Sequence, residues 1–103
     1  METIYLGTEL KLAVQIECEG FDMDSNEWTA QIFCGKNKSE PIGRDTGAVK
    51  VGGQWCVLID TKSLGAGLYW LVTAYDVPDS DFPDGYRHVV KKQALFNVEG
   101  VCL

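Results

Sequence analysis

Apolar and polar side chains alternate along most of the chain with a period of two, which is typical of β-strands that are buried on one face. In residues 9–18 every second position is apolar, and Glu9, Lys11, Gln15 and Glu17 fall between these positions. Similar apolar or alternating runs cover residues 28–34, 47–51, 54–59, 68–75 and 86–98. No window of eleven residues keeps apolar positions at helical spacing, so the pattern predicts an all-β fold.

The connections between these runs are rich in turn residues. Gly52-Gly53 suits a two-residue hairpin, and the 11 glycines of the chain fall at turn intervals. The pattern contains six or seven short strands, with a turn about every 8 to 12 residues. It predicts a single antiparallel β-sandwich of about seven strands over residues 1–103. The alternation slips near Lys91 and Lys92, where we expect either a β-bulge or a sheet edge.

A short motif narrows the type of sandwich. The segment DTKSLGAGLYWLV, residues 60–72, places Gly-x-Gly-x-Tyr at the start of a buried strand. This pattern resembles the corner of immunoglobulin-like and fibronectin-like sandwiches, in which a tyrosine just inside the strand bonds back to the preceding turn. Tyr69 is the candidate for that tyrosine, and Gly65 and Gly67 give the backbone the freedom that a tight crossover requires.

The charge distribution disfavours two classes of partner. The formal net charge is −6, and Lys91-Lys92 is the one adjacent pair among the nine basic residues. Nucleic-acid binding depends on clustered basic side chains, and an anionic membrane surface would repel the chain, so we expect neither partner. No signal-like start and no run of ~18 apolar residues is present, so we expect synthesis in the cytoplasm.

Many of the acidic residues are expected at one end of the sandwich. The loops at residues 19–27 and 76–85 emerge at the same pole in a sandwich of this topology, and neither contains Lys or Arg. They carry eight of the 15 acidic residues: Glu19, Asp22, Asp24, Glu27, Asp76, Asp79, Asp81 and Asp84. We therefore predict one strongly negative end.

Three interpretations of this acidic end remain open. Asp22, Asp24, Asp79 and Asp81 would be the ligands of a weak calcium site assembled across the two loops, although neither loop matches the helical calcium-binding pattern. Turn formation explains the same residue types, because Asp bonds to nearby backbone N–H groups and Pro fixes φ. A catalytic carboxylate cluster is the third interpretation, and turn formation is the one we favour.

The other chemically active residues form no catalytic pattern. His88 is the single histidine and lies in the last predicted strand, where a surface or edge position is expected. No serine stands in a Gly-x-Ser-x-Gly motif, and no phosphate-binding or dinucleotide-binding pattern is present. Cys18, Cys34, Cys56 and Cys102 contain no Cys-x-x-Cys pair, so we expect reduced, buried thiols rather than a zinc site. We predict neither enzymatic activity nor a cofactor.

The three tryptophans are expected in different environments. Trp55 and Trp70 lie inside strands and are predicted to be in the core, whereas Trp28 opens its strand beside an acidic loop and is the one of the three for which exposure is expected. An aromatic side chain next to carboxylates suits either a glycan site or a protein interface. The candidate interaction residues are Trp28, Asp22, Asp24, Asp79, Asp81, Asp84 and Arg87.

Three segments of the chain carry a family resemblance. The matching residues are Gly20, Phe21, Asp22 and Met23, then Asp60, Thr61, Leu64, Gly65 and Gly67, then Ala74, Tyr75, Pro78, Asp79, Asp81, Phe82, Pro83, Asp84, Gly85 and Arg87. The pattern resembles a family of small, uncharacterised proteins encoded in prophage-like, tail-module regions of gut bacteria. Members often carry an acidic residue where His88 stands, so no Arg–carboxylate role is carried over at that point. The resemblance implies an immunoglobulin-like sandwich similar to the N-terminal domain of phage baseplate proteins, and it implies no known activity.

The sequence therefore predicts a non-enzymatic structural or protein-interaction module, encoded by a prophage and built into a phage tail or baseplate. A protein partner or self-association is expected, because virion parts assemble through strand edges and loops. The alternative is a carbohydrate-binding module, with or without calcium, that contacts a host-surface glycan.

Overall fold

The computed structural model describes residues 3–100 and contains eight β-strands and one short helix within that range. The elements are β1 (Thr3–Tyr5), β2 (Glu9–Val14), β3 (Trp28–Cys34), β4 (Asn37–Lys38), β5 (Val49–Val51), β6 (Gln54–Asp60), α1 (Thr61–Leu64), β7 (Gly67–Pro78) and β8 (Tyr86–Glu99). One sheet has five strands in the order β1-β8-β7-β3-β4, and the other has three in the order β2-β6-β5. The predicted all-β fold in two sheets is confirmed, with eight strands where about seven were expected. Among the described residues, no helix has the length and apolar character that crossing a membrane requires.

All six strands predicted from the alternation are present, but their ends differ. β2 stops at Val14 instead of continuing to residue 18, whereas β7 and β8 run to Pro78 and Glu99 and form a long antiparallel hairpin. Two further strands were not predicted: β1 pairs in parallel with the end of β8, and β4 pairs with the end of β3. They have three and two residues, which is too short for a period of two to be recognised, and neither lies beside a glycine pair like the one that marked the equally short β5.

The core lies between the sheets and is built from alternate side chains of the central strands. The buried side chains are Tyr69, Leu71, Tyr75 and Val77 on β7, Trp28, Ala30, Ile32 and Cys34 on β3, and Val57 and Ile59 on β6. Full burial of a large apolar side chain contributes about 1.5–3 kcal/mol, so these positions fix which face of each strand points inward.

One irregularity reverses the facing of the side chains along β8. The register between β7 and β8 shifts between Tyr69 and Trp70, which leaves Leu95 as an extra residue in β8. Odd-numbered positions of β8 share the inner face before this bulge, and even-numbered positions share it afterwards. The expectation of a bulge at Lys91 and Lys92 is wrong. The alternative expectation, a sheet edge, is confirmed, because both lysines lie on an exposed edge of the five-stranded sheet.

Tyr69 anchors the crossover from the three-stranded sheet to the five-stranded sheet. Its hydroxyl donates a hydrogen bond of 2.6 Å to the carbonyl oxygen of Gly65 and lies 3.3 Å from the carbonyl oxygen of Thr61. Burial of the ring raises the pKa of Tyr69 to about 12, so the hydroxyl stays protonated and able to donate at neutral pH. The predicted corner is confirmed in its hydrogen bonding. Gly67 has a φ of +136°, and a Cβ there would lie 3.2 Å from the Sγ of Cys34, so the crossover requires glycine at this position.

Thr61 ties the same crossover to the start of the chain. The residue is fully buried, and its hydroxyl donates to the carbonyl oxygen of Thr8 at 2.8 Å and accepts from the backbone N–H of Gly7 at 2.9 Å. The Asp60 carboxylate caps α1 by accepting from the backbone N–H of Lys62 at 3.0 Å. The side chain of Thr61 therefore holds the turn before β2 against the helix after β6, and the side chain of Asp60 caps that helix.

Replacing Tyr69 with Phe removes the buried hydroxyl and keeps the ring. We expect the free energy of unfolding to fall by about 1–2 kcal/mol, because the Gly65 carbonyl oxygen loses the donor that lies 2.6 Å from it. Urea unfolding followed by tryptophan fluorescence measures this change. The matched control is Tyr86→Phe, since Tyr86 is 49% exposed, and equal effects of the two substitutions would contradict the role assigned to Tyr69.

Candidate interaction site

The two acidic loops emerge at the same end of the molecule. Trp28, the first residue of β3, pairs with Tyr75 near the end of β7, so the loop before β3 and the turn after β7 leave the sheet on the same side. The ring of Phe21, in the first loop, lies 4.9 Å from the ring of Tyr75. The predicted position of the two loops is therefore confirmed.

The first loop uses Asp22 to form its own turn. The Asp22 carboxylate accepts hydrogen bonds from the backbone N–H of Asp24 at 3.0 Å and from the hydroxyl of Ser25 at 2.7 Å. The backbone N–H of Asp22 in turn donates to the side-chain oxygen of Asn26 at 2.9 Å. The hydrogen bond from Ser25 lowers the pKa of Asp22, and the backbone hydrogen bond acts in the same direction. This side chain has the role that the turn interpretation predicts.

Asp24 connects the first loop to the three-stranded sheet. Its carboxylate accepts hydrogen bonds from the Lys50 ammonium at 2.9 Å and from the Trp55 indole N–H at 2.8 Å. The Arg44 guanidinium donates to the Asp24 carbonyl oxygen at 2.6 Å. The hydrogen bond from Lys50, followed by that from Trp55, holds the pKa of Asp24 below its ordinary value. Asp24 therefore links the loop to β5 and β6, and its carboxylate is neutralised by a cation of the same chain.

Trp28 is buried, and the expectation that it is exposed is wrong. The residue is 3% exposed, its indole N–H donates to the carbonyl oxygen of Met23 at 3.0 Å, and its ring meets the ring of Trp55 edge to face with centroids 6.1 Å apart. The first side chain of a strand points inward or outward according to register, and here the register places it on the core face. Trp55 and Trp70, which were expected in the core, are instead half-buried.

The second loop is a tight turn built from its aspartates. The Asp79 carboxylate accepts from the backbone N–H of Asp81 at 3.0 Å, and the Asp84 carboxylate accepts from the backbone N–H of Tyr86 at 3.1 Å. The Arg87 guanidinium lies 3.7 Å from the second oxygen of Asp79. The conformation of this loop is thus explained by turn chemistry and one exposed ion pair, which contributes at most about 1 kcal/mol.

The carboxylates of the two loops do not converge on a common centre. Within residues 3–100, no three His, Cys, Asp or Glu side chains are grouped as metal ligands would be. Asp22 and Asp79 bond within their own turns, and Asp24 bonds to Lys50. A calcium site across the loops would have to replace these contacts.

Among the described residues, His88 and the cysteines lie apart from one another. His88 is exposed on β8, and its Nδ1 lies 2.7 Å from a carboxylate oxygen of Asp76 across the hairpin. Cys34 and Cys56 are buried free thiols and Cys18 is half-buried, while Cys102 lies outside the described residues. Burial raises the pKa of the Cys34 thiol, which keeps it protonated and unreactive at neutral pH.

Sequence reasoning missed the outward-facing side of the five-stranded sheet. On one side of β7, Trp70 pairs with Phe33, Val72 with Gln31 and Ala74 with Thr29. On its other side, the same three residues of β7 pair with Ala94, Lys92 and Val90. All of them alternate with core residues, so they share the surface that faces away from the second sheet, which we call the outer face. The signal was present in the sequence, because residues 68–75 are apolar at both the odd and the even positions, as expected of a strand that needs cover on both faces.

Comparisons with known proteins give no relative for this chain: no family model, no curated protein and no solved structure matches it.

The pKa of Asp24 leads to a prediction about stability and pH. A carboxylate whose pKa is lower in the folded state stabilises the fold above its ordinary value of 3.8, and this contribution is lost as the pH falls through the folded-state pKa. We expect Asp24→Asn to lower the urea midpoint at neutral pH, and we expect the difference from the unchanged protein to vanish at pH values below that range. The control is Asp81→Asn at the exposed hairpin turn, and an Asp24→Asn effect that is equally large in acid would contradict the Lys50 contact as its cause.

The turn interpretation also predicts the response to calcium. An ion that binds only the folded state raises the unfolding midpoint by mass action. Because the loop carboxylates are used within their own turns or by Lys50, we expect the same thermal midpoint in excess calcium and in chelator. A rise of several degrees that is abolished by both Asp22→Asn and Asp79→Asn would contradict this and would indicate a site across the loops.

Proposed function

We propose that this chain is a non-enzymatic, immunoglobulin-like structural module that binds another protein, and that it is a prophage-encoded component of a phage tail or baseplate. It is made in the cytoplasm and joins its partner during particle assembly. The fold, the outer face and the sequence motifs support this proposal from separate directions.

Strand order and the tyrosine corner support the immunoglobulin-like assignment. In immunoglobulin domains of the variable type, strands B, E and D form one sheet, and strand C is followed by a further strand in the sheet that contains F and G. The order β2-β6-β5 matches the first of these sheets, and β4-β3-β7-β8 matches the other. The corner tyrosine at the start of strand F corresponds to Tyr69 at the start of β7.

The outer face is the observation that carries the interaction role. Three strands about 4.8 Å apart, each with outward positions about 6.8 Å apart, give the nine positions of the outer face a total area on the order of 300 Å². Six of the nine positions are apolar, and contiguous apolar surface on a soluble domain often marks a binding site. The half-buried Trp70 and Phe33 lie side by side at one end of it, and Val90 is 58% exposed at the other. A partner that covers the outer face would bury side chains that the chain itself leaves in water.

The assignment to a tail or baseplate is supported by the three sequence segments that resemble the prophage-encoded family. Two of these segments lie in the elements that define the fold. Asp60, Thr61 and Gly65 form the crossover that holds Tyr69, and Asp79, Asp84 and Arg87 form the turn of the β7–β8 hairpin. The residues of these two segments therefore form hydrogen bonds that hold the crossover and the hairpin turn of this chain.

The alternative proposal, a carbohydrate-binding module, now depends on other residues. Trp28 is too deeply buried to stack on a sugar, so the aromatic platform would be Trp70 with Phe33 on the outer face. The Lys92 ammonium lies 4.4 Å from the centre of the Trp70 ring and covers part of it. This contact favours a protein partner, because a sugar would have to displace the lysine.

The proposal is tested by incorporation into particles. Phage particles from the native host are separated on a density gradient, and an antibody against this chain is used to find it. We expect it to migrate with the tail proteins. We also expect Val72→Glu, in the middle of the outer face, to reduce the incorporated fraction at least about tenfold, because the carboxylate would lose its water when the interface forms. Val72 lies opposite Lys92, so the new carboxylate has a partner in the free protein and folding is retained.

The matched control is Val51→Glu, since Val51 is 45% exposed on β5 in the other sheet. Equal loss of incorporation with both variants, or a chain that stays among the free proteins of the gradient, would contradict the proposal. Binding to a glycan array that is lost on Trp70→Ala and independent of Val72→Glu would favour the carbohydrate alternative instead.

A further inference from the structure

The two sheets leave a polar cleft open along one side of the sandwich. It has a volume of about 530 Å³ and lies between β2 on one wall and the hairpin of β7 and β8 on the other. Its lining residues are Ala13, Gln15, Glu17, Gln54, Leu71, Thr73, Lys91 and Gln93. The cleft exists because the three-stranded sheet ends at β2 and does not reach beneath β8.

Both strands that border the cleft are sheet edges. β2 is the last strand of its sheet, and β8 pairs with β1 only through Asn97, Val98 and Glu99. Within the described part of the chain, residues 86–96 of β8 therefore have no neighbouring strand on that side. A strand edge presents unpaired backbone donors and acceptors and is a template for pairing with another strand.

The two walls of the cleft carry one charge each, and the charges are opposite. Lys91 lies on the β8 wall, and Glu17, which follows β2, lies on the other wall. Two copies of the lysine-bearing edge repel each other, which disfavours pairing of β8 with another β8. Glu17 of a second copy would attract Lys91.

The direction of the strands allows both edges to be used at once. Glu9, at the start of β2, pairs with Asp60 at the crossover near Tyr69, whereas Val14 pairs with Trp55, which contacts Trp28 at the opposite end. β2 thus runs from the level of the crossover toward the acidic loops, while β8 starts beside those loops and runs the other way. A twofold rotation about an axis parallel to the strands places β8 of one copy antiparallel to β2 of the other, twice.

We propose that this side of the sandwich is the interface of a twofold-symmetric dimer, in which β8 of each copy pairs with β2 of the other and the two sheets become continuous. The rotation keeps each residue at its level along the strands. Residues that face each other across the cleft of one copy therefore also meet between the two copies. Lys91 of one copy lies beside Gln15 and Glu17 of the second. The inference rests on the proposed role as a protein-interaction module and names one partner, a second copy of this chain.

Charge exchange across the interface tests this dimer. Sedimentation velocity over a concentration series gives the dissociation constant, and we expect Lys91→Glu and Glu17→Lys each to weaken the dimer at least about tenfold through like-charge contacts. The double variant with both substitutions restores opposite charges, and we expect it to return toward the original affinity. Lys36→Glu is the matched control, because Lys36 is exposed in the turn between β3 and β4.

Three results would overturn the inference. The first is a monomer at every concentration, and the second is a double variant no tighter than the single ones. The third is a dimer that Val72→Glu abolishes and Lys91→Glu leaves intact, which would move the interface to the outer face. A monomer that is still incorporated into particles leaves the proposed function standing, whereas a charge-dependent dimer that never enters particles refutes the tail role and keeps this interface.

Discussion

The structure depends on the crossover between β6 and β7, where the hydroxyl of Tyr69 is bonded to the backbone of the turn before it. This contact sets the position at which the chain leaves the three-stranded sheet and enters the five-stranded sheet. β7 is the strand that enters, and it pairs with β3 on one side and with β8 on the other. Thr61 adds the connection to the turn before β2, so the two sheets are joined at this end by buried hydrogen bonds as well as by apolar packing.

The inequality of the two sheets determines what the surface can do. Three strands cannot cover five, so part of the inner side of β8 remains without a neighbour among residues 3–100, and the outer face has no further layer above it in that range. The uncovered inner positions of β8 are polar, as Lys91 and Gln93, whereas the outer face is largely apolar. The chain therefore presents two surfaces of different chemistry, a polar edge suited to strand pairing and an apolar face suited to packing. The acidic loops close one end of the molecule and are stabilised by their own turns.

Much of the fold could be predicted from the sequence, because alternation is a direct consequence of one-sided burial. Six of the eight strands and the role of Tyr69 follow from local patterns of a few residues. β1 and β4 could not be predicted, since each exists only by pairing with a longer strand: β1 pairs with β8, which is distant in sequence, and β4 pairs with β3, which precedes it across a turn. The position of the bulge at Leu95 depends on the register with β7, which is a tertiary property.

The candidate site was predicted less completely than the fold. Local turn chemistry accounts for Asp22 and Asp79 as the sequence suggested, but the contacts of Asp24 with Lys50 and Trp55 join residues far apart in the chain. The expected exposure of Trp28 was wrong for the same reason, because pairing with the neighbouring strand determines whether the first side chain of a strand points inward or outward. Whether the inner side of an edge strand is covered depends on how many strands the opposite sheet has, and no local pattern contains that number.

Amide hydrogen exchange measured as a function of protein concentration tests most directly whether β8 is an open edge that a second copy covers. The account predicts that alternate amides in residues 86–95, those pointing away from β7, exchange rapidly in dilute solution. At high concentration these amides and the free-edge amides of β2 should slow together, because each pairs with the other across the dimer. Protection of every β8 amide at all concentrations, or slowing confined to β3 and the outer face, would contradict it.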